Sequence, residues 1–190
     1  MDHIRTMTWS IRPASSTDAA RLASFAAALF RQAYGATHSE PTLSEYLGTA
    51  FAESQFAQAM ANPSCTALLV ESTDGTWLGY AQLRAGAPIP PTRQLLTELP
   101  GTRPLEIVRF YVDGEWHGRG IAQPLMRACE EDARERGCDV LWLQAWQEAQ
   151  QALRFYRKSG FSVCGTAVFT FGERVDNDLV LARAVAHPAS

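Results

Sequence analysis

The sequence EWHGRGIAQPLM, residues 115–126, places two glycines within three positions and follows them at once with apolar residues. The segment before it, LEIVRFYVD (105–113), is almost entirely apolar and predicts a strand that is buried on both faces. The segment after it repeats small or apolar residues every four positions, which predicts a helix from about 119 to 136. A strand, a glycine turn and a helix therefore follow one another.

The glycine turn is a candidate anion site. The first backbone N–H groups of a helix have no partner inside the helix, and the helix dipole is positive at that end. Gly118 and Gly120 let a ligand approach the backbone, which suits a phosphate or pyrophosphate, and His117 and Arg119 can add charge. Because no GK[ST] follows and position 123 is Gln, the turn matches neither the P-loop nor the dinucleotide fingerprint. On the glycines alone, a tight turn that only permits a sharp bend is the simpler interpretation.

Further strands and helices extend from this unit in both directions. Period-two or continuous apolar patterns predict strands, with Asp74-Gly75 as a hairpin turn, at 9–15, 65–72, 76–85, 105–113, 139–146, 161–171 and 177–185. Helical spacing predicts helices after Thr17 or Asp18, at about 42–60, at about 119–136 and at 148–160, and the Pro-rich connection 86–104 has room for one helical turn at 92–99. The order β-α-α-β-β-β-α-β-α-β-β predicts an α/β (α+β) fold, a mixed sheet of about seven strands flanked by four helices on both faces.

Length and composition exclude several classes of protein. The 190 residues suit one domain, expected over 9–186 with short tails at 1–8 and 187–190. The net charge of -3, with acids and bases intermixed, argues against a nucleic-acid partner. Four cysteines without a CxxC pair predict reduced thiols and no metal site. Neither a signal peptide nor an apolar run of the ~18 residues that a membrane helix needs is visible, so we expect no membrane partner and a cytoplasmic location.

Two motifs give the sequence a specific resemblance. HGRGIA, residues 117–122, resembles motif A, [RQ]-x-x-G-x-[GA], of the GCN5-related N-acetyltransferase (GNAT) superfamily, with His at the first position. ALRFYRKSGF, residues 152–161, resembles motif B of the same superfamily, A-x-x-F-Y-x-x-x-G-F. The order of predicted elements matches the GNAT fold over essentially the whole chain. The strand–helix–strand half, with the run ending in NDLVLAR, is also similar to bacterial small-amine acetyltransferases of the polyamine type.

The resemblance implies that acetyl-CoA is the co-substrate and lies between the fourth and fifth strands, 105–113 and 139–146. Its pantetheine arm would pair with the main chain of the fourth strand, as an added strand would. Its pyrophosphate would lie on the N–H groups of the glycine turn. The cofactor residues implied are Phe110, Tyr111, Val112, His117, Gly118, Arg119, Gly120, Ile121, Ala122 and Gln123. A main-chain N–H near Tyr111 or Val112 could polarise the thioester carbonyl.

The resemblance also implies two proton-transfer residues. Tyr156, in the F-Y pair of motif B, would protonate the departing sulfur, because a phenol with a pKa of ~10 carries its proton at neutral pH. Glu106 would take a proton from the attacking amine, from a strand position that regular alternation places on the same face as Phe110. The structural alternatives are simple packing for Tyr156, and for Glu106 either solvation near the end of the strand or an ion pair with a nearby arginine.

One departure and the acceptor keep further alternatives open. Ala149 stands where many family members have an Asn that touches the cofactor, so Gln147, Glu148 or Gln150 substitutes for it or the contact is absent. A degenerate GNAT domain that binds CoA without catalysis, as a sensor or partner-binding module, is the main alternative function, and an unrelated phosphate-binding protein is the third. The acceptor would be an amine of a small molecule or peptide, and the apolar segment 161–171 is a candidate contact for a homodimer. Acceptor residues are expected at 34–45 and 86–104, among them Tyr34, His38, Glu40, Glu45, Arg93 and Glu98.

Overall fold

The computed structural model describes residues 8–37, 39–86, 101–171 and 174–186. The strands are β1 (Trp9–Pro13), β2 (Cys65–Ser72), β3 (Trp77–Ala85), β4 (Pro104–Val112), β5 (Val140–Trp146), β6 (Ser162–Phe171) and β7 (Arg174–Ala184). The α-helices are α1 (Ala19–Tyr34), α2 (Glu40–Ala50), α3 (Glu53–Ala61), α4 (Ala122–Glu135) and α5 (Gln150–Lys158). Short 3₁₀ turns precede α1 and follow β4.

The strands form one mixed seven-stranded sheet in the order β1-β2-β3-β4-β5-β7-β6. Neighbouring strands are antiparallel except β4 and β5, which run parallel. Those two strands pair only where 104–106 faces 140–142. Beyond Glu106 the register between them ends, so the sheet is split along the second half of β4. The predicted α/β class and mixed sheet are confirmed.

Helices cover both faces of the sheet because each strand carries apolar residues on alternating sides. On one face, α4 and α5 pack through Ile121, Leu125, Cys129 and Leu153 onto β2 to β5. On the other face, α1, α2 and α3 pack onto residues such as Leu69 and Tyr80. Beside this second group, β5, β6 and β7 bury a smaller cluster made of Val140, Trp142, Ala167, Val180 and Ala182. No helix in the described ranges is long and apolar enough to cross a membrane.

The single helix predicted for 42–60 is wrong, because the chain leaves the helical conformation at Phe51 and Ala52. Phe51 is 5 % exposed, and its ring packs against Phe30 and Phe56. The guanidinium of Arg109 donates to the carbonyl of Ala50 over 2.6 Å and so satisfies the end of α2. Tertiary contacts rather than a Gly or Pro therefore end this helix.

Smaller differences from the predicted elements lie near the glycine turn. Helix α4 begins at Ala122 rather than 119, since Gly118 and Gly120 adopt φ angles of 74° and 79° that a helix does not allow. Strand β4 is fully buried only at Leu105 and Ile107, because its second half borders the split in the sheet. The hairpin at Asp74-Gly75 is confirmed. The helical turn expected at 92–99 lies outside the described residues.

Candidate active site

The split between β4 and β5 opens a cavity of about 740 Å³. Its walls come from the second halves of both strands, the glycine turn, the first turn of α4, the C-terminal part of α1 and the helix α5. Ten of its lining residues were predicted as cofactor-binding or catalytic residues, namely Phe110, Tyr111, Val112, His117, Gly118, Gly120, Ile121, Ala122, Gln123 and Tyr156. One predicted cofactor residue, Arg119, is not in the wall, and its guanidinium lies 4.7 Å from the ring centroid of Trp116.

A β-bulge in β4 determines which side chains face this cavity. Gln82 pairs with Arg109 and Leu83 pairs with Ile107, so Val108 is the extra residue. After the bulge, Phe110 joins the core cluster on the α4 and α5 face. Arg109 shares the opposite face with Glu106. The expectation that Glu106 and Phe110 share a face is therefore wrong, because the bulge shifts the alternation by one residue.

The glycine turn presents unpaired backbone N–H groups to the cavity. Within the described part of the chain, no hydrogen bond uses the N–H of Gly118 or of residues 120–123 as a donor. A Cβ built on Gly118 or Gly120 would meet no atom within 4 Å, so the backbone there borders open space. Both glycines have positive φ, and the N–H of Arg119 between them donates to the carbonyl of Trp116. This arrangement fits a pyrophosphate group at the start of α4.

His117 ties the turn to the end of β4. Its Nε2 lies 2.9 Å from the carbonyl oxygen of Val112, in a geometry where the ring N–H donates. Gln123 makes a comparable link from α4 to α5, because its Nε2 donates to Ser159 Oγ over 3.2 Å and that hydroxyl donates to the carbonyl of Phe155 over 3.0 Å. Both side chains hold the walls of the cavity in place.

Tyr156 projects from α5 into the same cavity. It is 8 % exposed, and its ring packs edge-on against Phe110 and Phe161. Burial raises the pKa of the phenol above its ordinary value, so it stays protonated at neutral pH. Ala149, the departure from motif B, also lines the cavity, and the side chain of Gln150 donates to the carbonyl of Gln147 over 3.2 Å.

A second cavity, of about 310 Å³, lies on the α1 and α2 face of the split. Seven residues line both cavities, so the two meet at a shared wall made of Tyr34, Ile107, Val108, Arg109, Tyr111, Gln144 and Trp146. Aromatic rings form most of the remaining wall, contributed by Phe30, Tyr46, Phe51 and Phe169. Three carboxylates complete it, those of Glu106, Asp176 and Asp178.

Glu106 lies at the closed end of the split, where β4 still pairs with β5. Its side chain is 13 % exposed, and its Oε2 accepts a hydrogen bond from Arg84 Nε over 3.0 Å and forms an ion pair with that guanidinium. Burial raises the pKa of this carboxyl group, and the charge of Arg84 opposes the rise. The predicted catalytic residues therefore lie on different sides of the sheet, with Tyr156 in the larger cavity and Glu106 in the smaller one.

Asp178 was not among the predicted residues. It is 8 % exposed, and its Oδ1 is buried without a hydrogen-bond partner. Burial, and to a smaller extent the charge of Asp176, raises the pKa of this carboxyl group to about 6. A signal was present in the sequence, because positions 176, 178, 180 and 182 of β7 share a face that changes from acidic to apolar.

The acceptor residues expected from the sequence are only partly placed here. Tyr34 lines both cavities. Glu40 instead pairs with Arg31 at the surface over 2.5 Å, and Glu45 is exposed on α2. His38, Arg93 and Glu98 lie outside the described residues. In the described ranges, no group of three or more His, Cys, Asp or Glu side chains is arranged to hold a metal ion.

The site has three features of acyl-CoA-dependent acetyltransferases. They are a split parallel strand pair, a glycine turn with free N–H groups, and a helix that carries an F-Y pair. The acetyltransferase (GNAT) family model matches residues 26–161, and the chain belongs to this family. An uncharacterised N-acetyltransferase of Mycobacterium tuberculosis is 30 % identical over 167 residues, which cover 88 % of this chain and 97 % of the relative.

Solved structures show the same fold. The PaiA N-acetyltransferase from Thermoplasma acidophilum, in complex with coenzyme A, matches with a TM-score of 0.69 and 18 % identity, over 94 % of this chain and 99 % of that one. NAA60 from Arabidopsis thaliana, in complex with acetyl-CoA, matches with a TM-score of 0.71 and 13 % identity, over 94 % of this chain and 99 % of that one. The predicted GNAT membership is confirmed.

Proposed function

We propose that the chain transfers an acetyl group from acetyl-CoA to a primary amine of a small molecule or peptide, by direct attack of the amine. The observation that carries this proposal is the pair of cavities that meet at one wall of the split sheet. When bound, acetyl-CoA supplies an acetyl group that is activated as a thioester. The larger cavity fits it because it combines free N–H groups at the glycine turn with an unpaired edge of β4.

The residues of the larger cavity have separate proposed roles. The N–H groups of Gly118 and of residues 120–123 bind the pyrophosphate. The main chain at 110–112 orients the pantetheine arm, and an N–H near Tyr111 polarises the carbonyl. Tyr156 keeps its proton at Oη, because burial raises the pKa of the phenol, and donates it to the departing sulfur.

The smaller cavity receives the amine. Glu106 lines this cavity, and its buried carboxylate is the proposed acceptor of the amine's proton, directly or through a water molecule. The ion pair with Arg84 holds that carboxylate in one orientation. Attack then takes place across the shared wall, where residues 107–109 and 111 of β4 border both cavities.

Two measurements on the purified protein test the proposal. Isothermal titration with acetyl-CoA is expected to show binding at micromolar concentrations, and a colorimetric thiol assay with a panel of primary amines is expected to show amine-dependent release of CoA. Binding without thiol release from any amine would favour a non-catalytic CoA-binding domain. Absence of binding at high micromolar concentrations would contradict both functions.

A further inference from the structure

Asp178 is a buried carboxylate that the other described residues leave incompletely paired. More than nine-tenths of the residue is inaccessible to solvent, and Oδ1 has no hydrogen-bond partner. A buried polar atom without a partner costs about 1–3 kcal/mol, and a charged one costs more. The side chain lines the smaller cavity, so a cation bound there would face this carboxylate group.

The surroundings of Asp178 suit a cation. Asp178 is the register partner of Trp146, and the ring of Trp146 lies 6.0 Å from that of Tyr34, centroid to centroid. Tyr46 and Phe169 add further rings to the same cavity, and their centroids are 6.1 Å apart. The faces of aromatic rings attract ammonium groups, and a buried carboxylate supplies the opposite full charge.

The other ionisable groups of this cavity do not neutralise Asp178. They are Asp176 on β7, Tyr34 on α1, Tyr46 on α2, and Glu106, Arg109 and Tyr111 on β4. Glu106 is paired with Arg84. The guanidinium of Arg109 donates to Gln82 Oε1 and to the carbonyl of Ala50, each over 2.6 Å. Tyr34 and Asp178 line the same cavity, and burial, followed by the negative charge of Asp178, raises the pKa of the Tyr34 phenol.

An ammonium group held by Asp178 is not the amine that reacts. The reacting amine must be neutral to attack, whereas a carboxylate beside an amine favours its charged form. Glu106 and Asp178 also lie at different heights in the sheet. In the sheet register, Glu106 lies opposite Trp142 of β5 and Asp178 lies opposite Trp146 of β5. These two positions of β5 are four residues apart, which is about 13 Å along the strand.

We propose that Asp178 binds a second amino group of the acceptor, which stays protonated while the first one reacts. The preferred substrates are then small compounds with two amino groups. This inference rests on the proposed acetyl transfer and assigns the acceptor class of that same site. The reacting amine lies at the shared wall, and the distal ammonium lies on Asp178 among the rings of Tyr34, Tyr46 and Trp146. A cavity of about 310 Å³ admits a short linear diamine.

Matched amines test the inference. 1,4-Diaminobutane and butylamine, and the corresponding five-carbon pair, present the same reacting amine with and without a second charge. The wild-type protein is expected to favour each diamine by at least ~10-fold in kcat/KM, the low end of the effect of a hydrogen bond to a charged group. Asp178→Asn is expected to lower kcat/KM for the diamines by ~10- to 100-fold, mainly through KM, and to change it for the monoamines by less than ~3-fold. Asp178→Glu restores part of the preference.

A control and a direct binding measurement separate the outcomes. Glu131→Gln removes the same charge from an exposed position on α4 and is expected to leave the diamine preference unchanged. Independently of turnover, 1,4-diaminobutane is expected to raise the Tm of the wild-type protein and not that of Asp178→Asn. Equal use of diamines and monoamines, or an equal loss for both in the variant, would overturn the assignment. A protein that binds 1,4-diaminobutane through Asp178 but acetylates no amine would contradict the proposed function and leave the cation site standing.

Discussion

Replacing Asp178 by Asn is expected to stabilise the folded protein at neutral and alkaline pH. Because burial raises the pKa of the carboxyl group from about 3.8 to about 6, the folded state holds the proton more tightly than the unfolded chain. The resulting stabilisation is complete below the unfolded pKa and is lost as the pH rises through the folded value. Asn has nearly the same shape and no charge, so the variant lacks this loss.

The expected magnitude follows from the shift in pKa. A difference of about 2 units corresponds to about 3 kcal/mol at pH values well above 6, since each unit is worth about 1.4 kcal/mol. The cost of burying the Asn amide hardly depends on pH and cancels when two pH values are compared. Between about pH 4.5 and about pH 8, the free energy of unfolding of the variant is therefore expected to rise by about 2 kcal/mol relative to wild type.

Urea unfolding of both proteins at these two pH values, followed by tryptophan fluorescence, measures this difference. All other acids are common to the two proteins, so their titration cancels. A relative change near zero would show that Asp178 is not a buried, raised-pKa carboxylate, and a change of opposite sign would show that the native fold stabilises its charge.

Three further substitutions test individual parts of the site. Tyr156→Phe is expected to lower kcat by ~100-fold with little change in the Kd of acetyl-CoA, because only proton donation is lost, and unchanged turnover would remove Tyr156 from the chemistry. Gly120→Val is expected to weaken acetyl-CoA binding by at least ~10-fold in titration calorimetry. The control is Gly75→Val in the β2–β3 turn, where the glycine has a similar φ of 83°. Each substitution is expected to cost ~1–2 kcal/mol of stability, but Gly75→Val is expected to leave binding intact. Equal weakening by both glycine variants would mean that the effect is global. Glu106→Gln is expected to lower kcat/KM for every amine and to flatten its rise with pH, and a retained pH profile would transfer the role of base to another group.

The parts of the site that depend on local sequence could be predicted. The turn before α4 needs residues that tolerate positive φ, and the glycines at positions 118 and 120 in the sequence meet this requirement. The F-Y pair was assigned from its resemblance to motif B, and the amphipathic helix α5 on which it lies buries Tyr156. The split between β4 and β5 followed from the family resemblance rather than from the residues themselves.

The parts that depend on long-range register could not be predicted. The bulge at Val108 is set by the pairing of β4 with β3 and places Glu106 on the face opposite Phe110. Asp178 lines the smaller cavity because of the register between β7 and β5. In this register Asp178 lies opposite Trp146, which is 32 residues earlier in the chain. The break at Phe51 likewise depends on distant aromatic and arginine contacts.

Backbone hydrogen exchange with and without acetyl-CoA tests the central claim most directly, because the proposed contacts use N–H groups of the main chain. We expect bound acetyl-CoA to slow exchange in two separated segments, 110–112 at the unpaired edge of β4 and 118–123 at the start of α4. The β2–β3 turn at 73–76 is expected to be unaffected. Unchanged exchange in both segments at saturating acetyl-CoA, or protection confined to another part of the sheet, would contradict the location of the acetyl-CoA site.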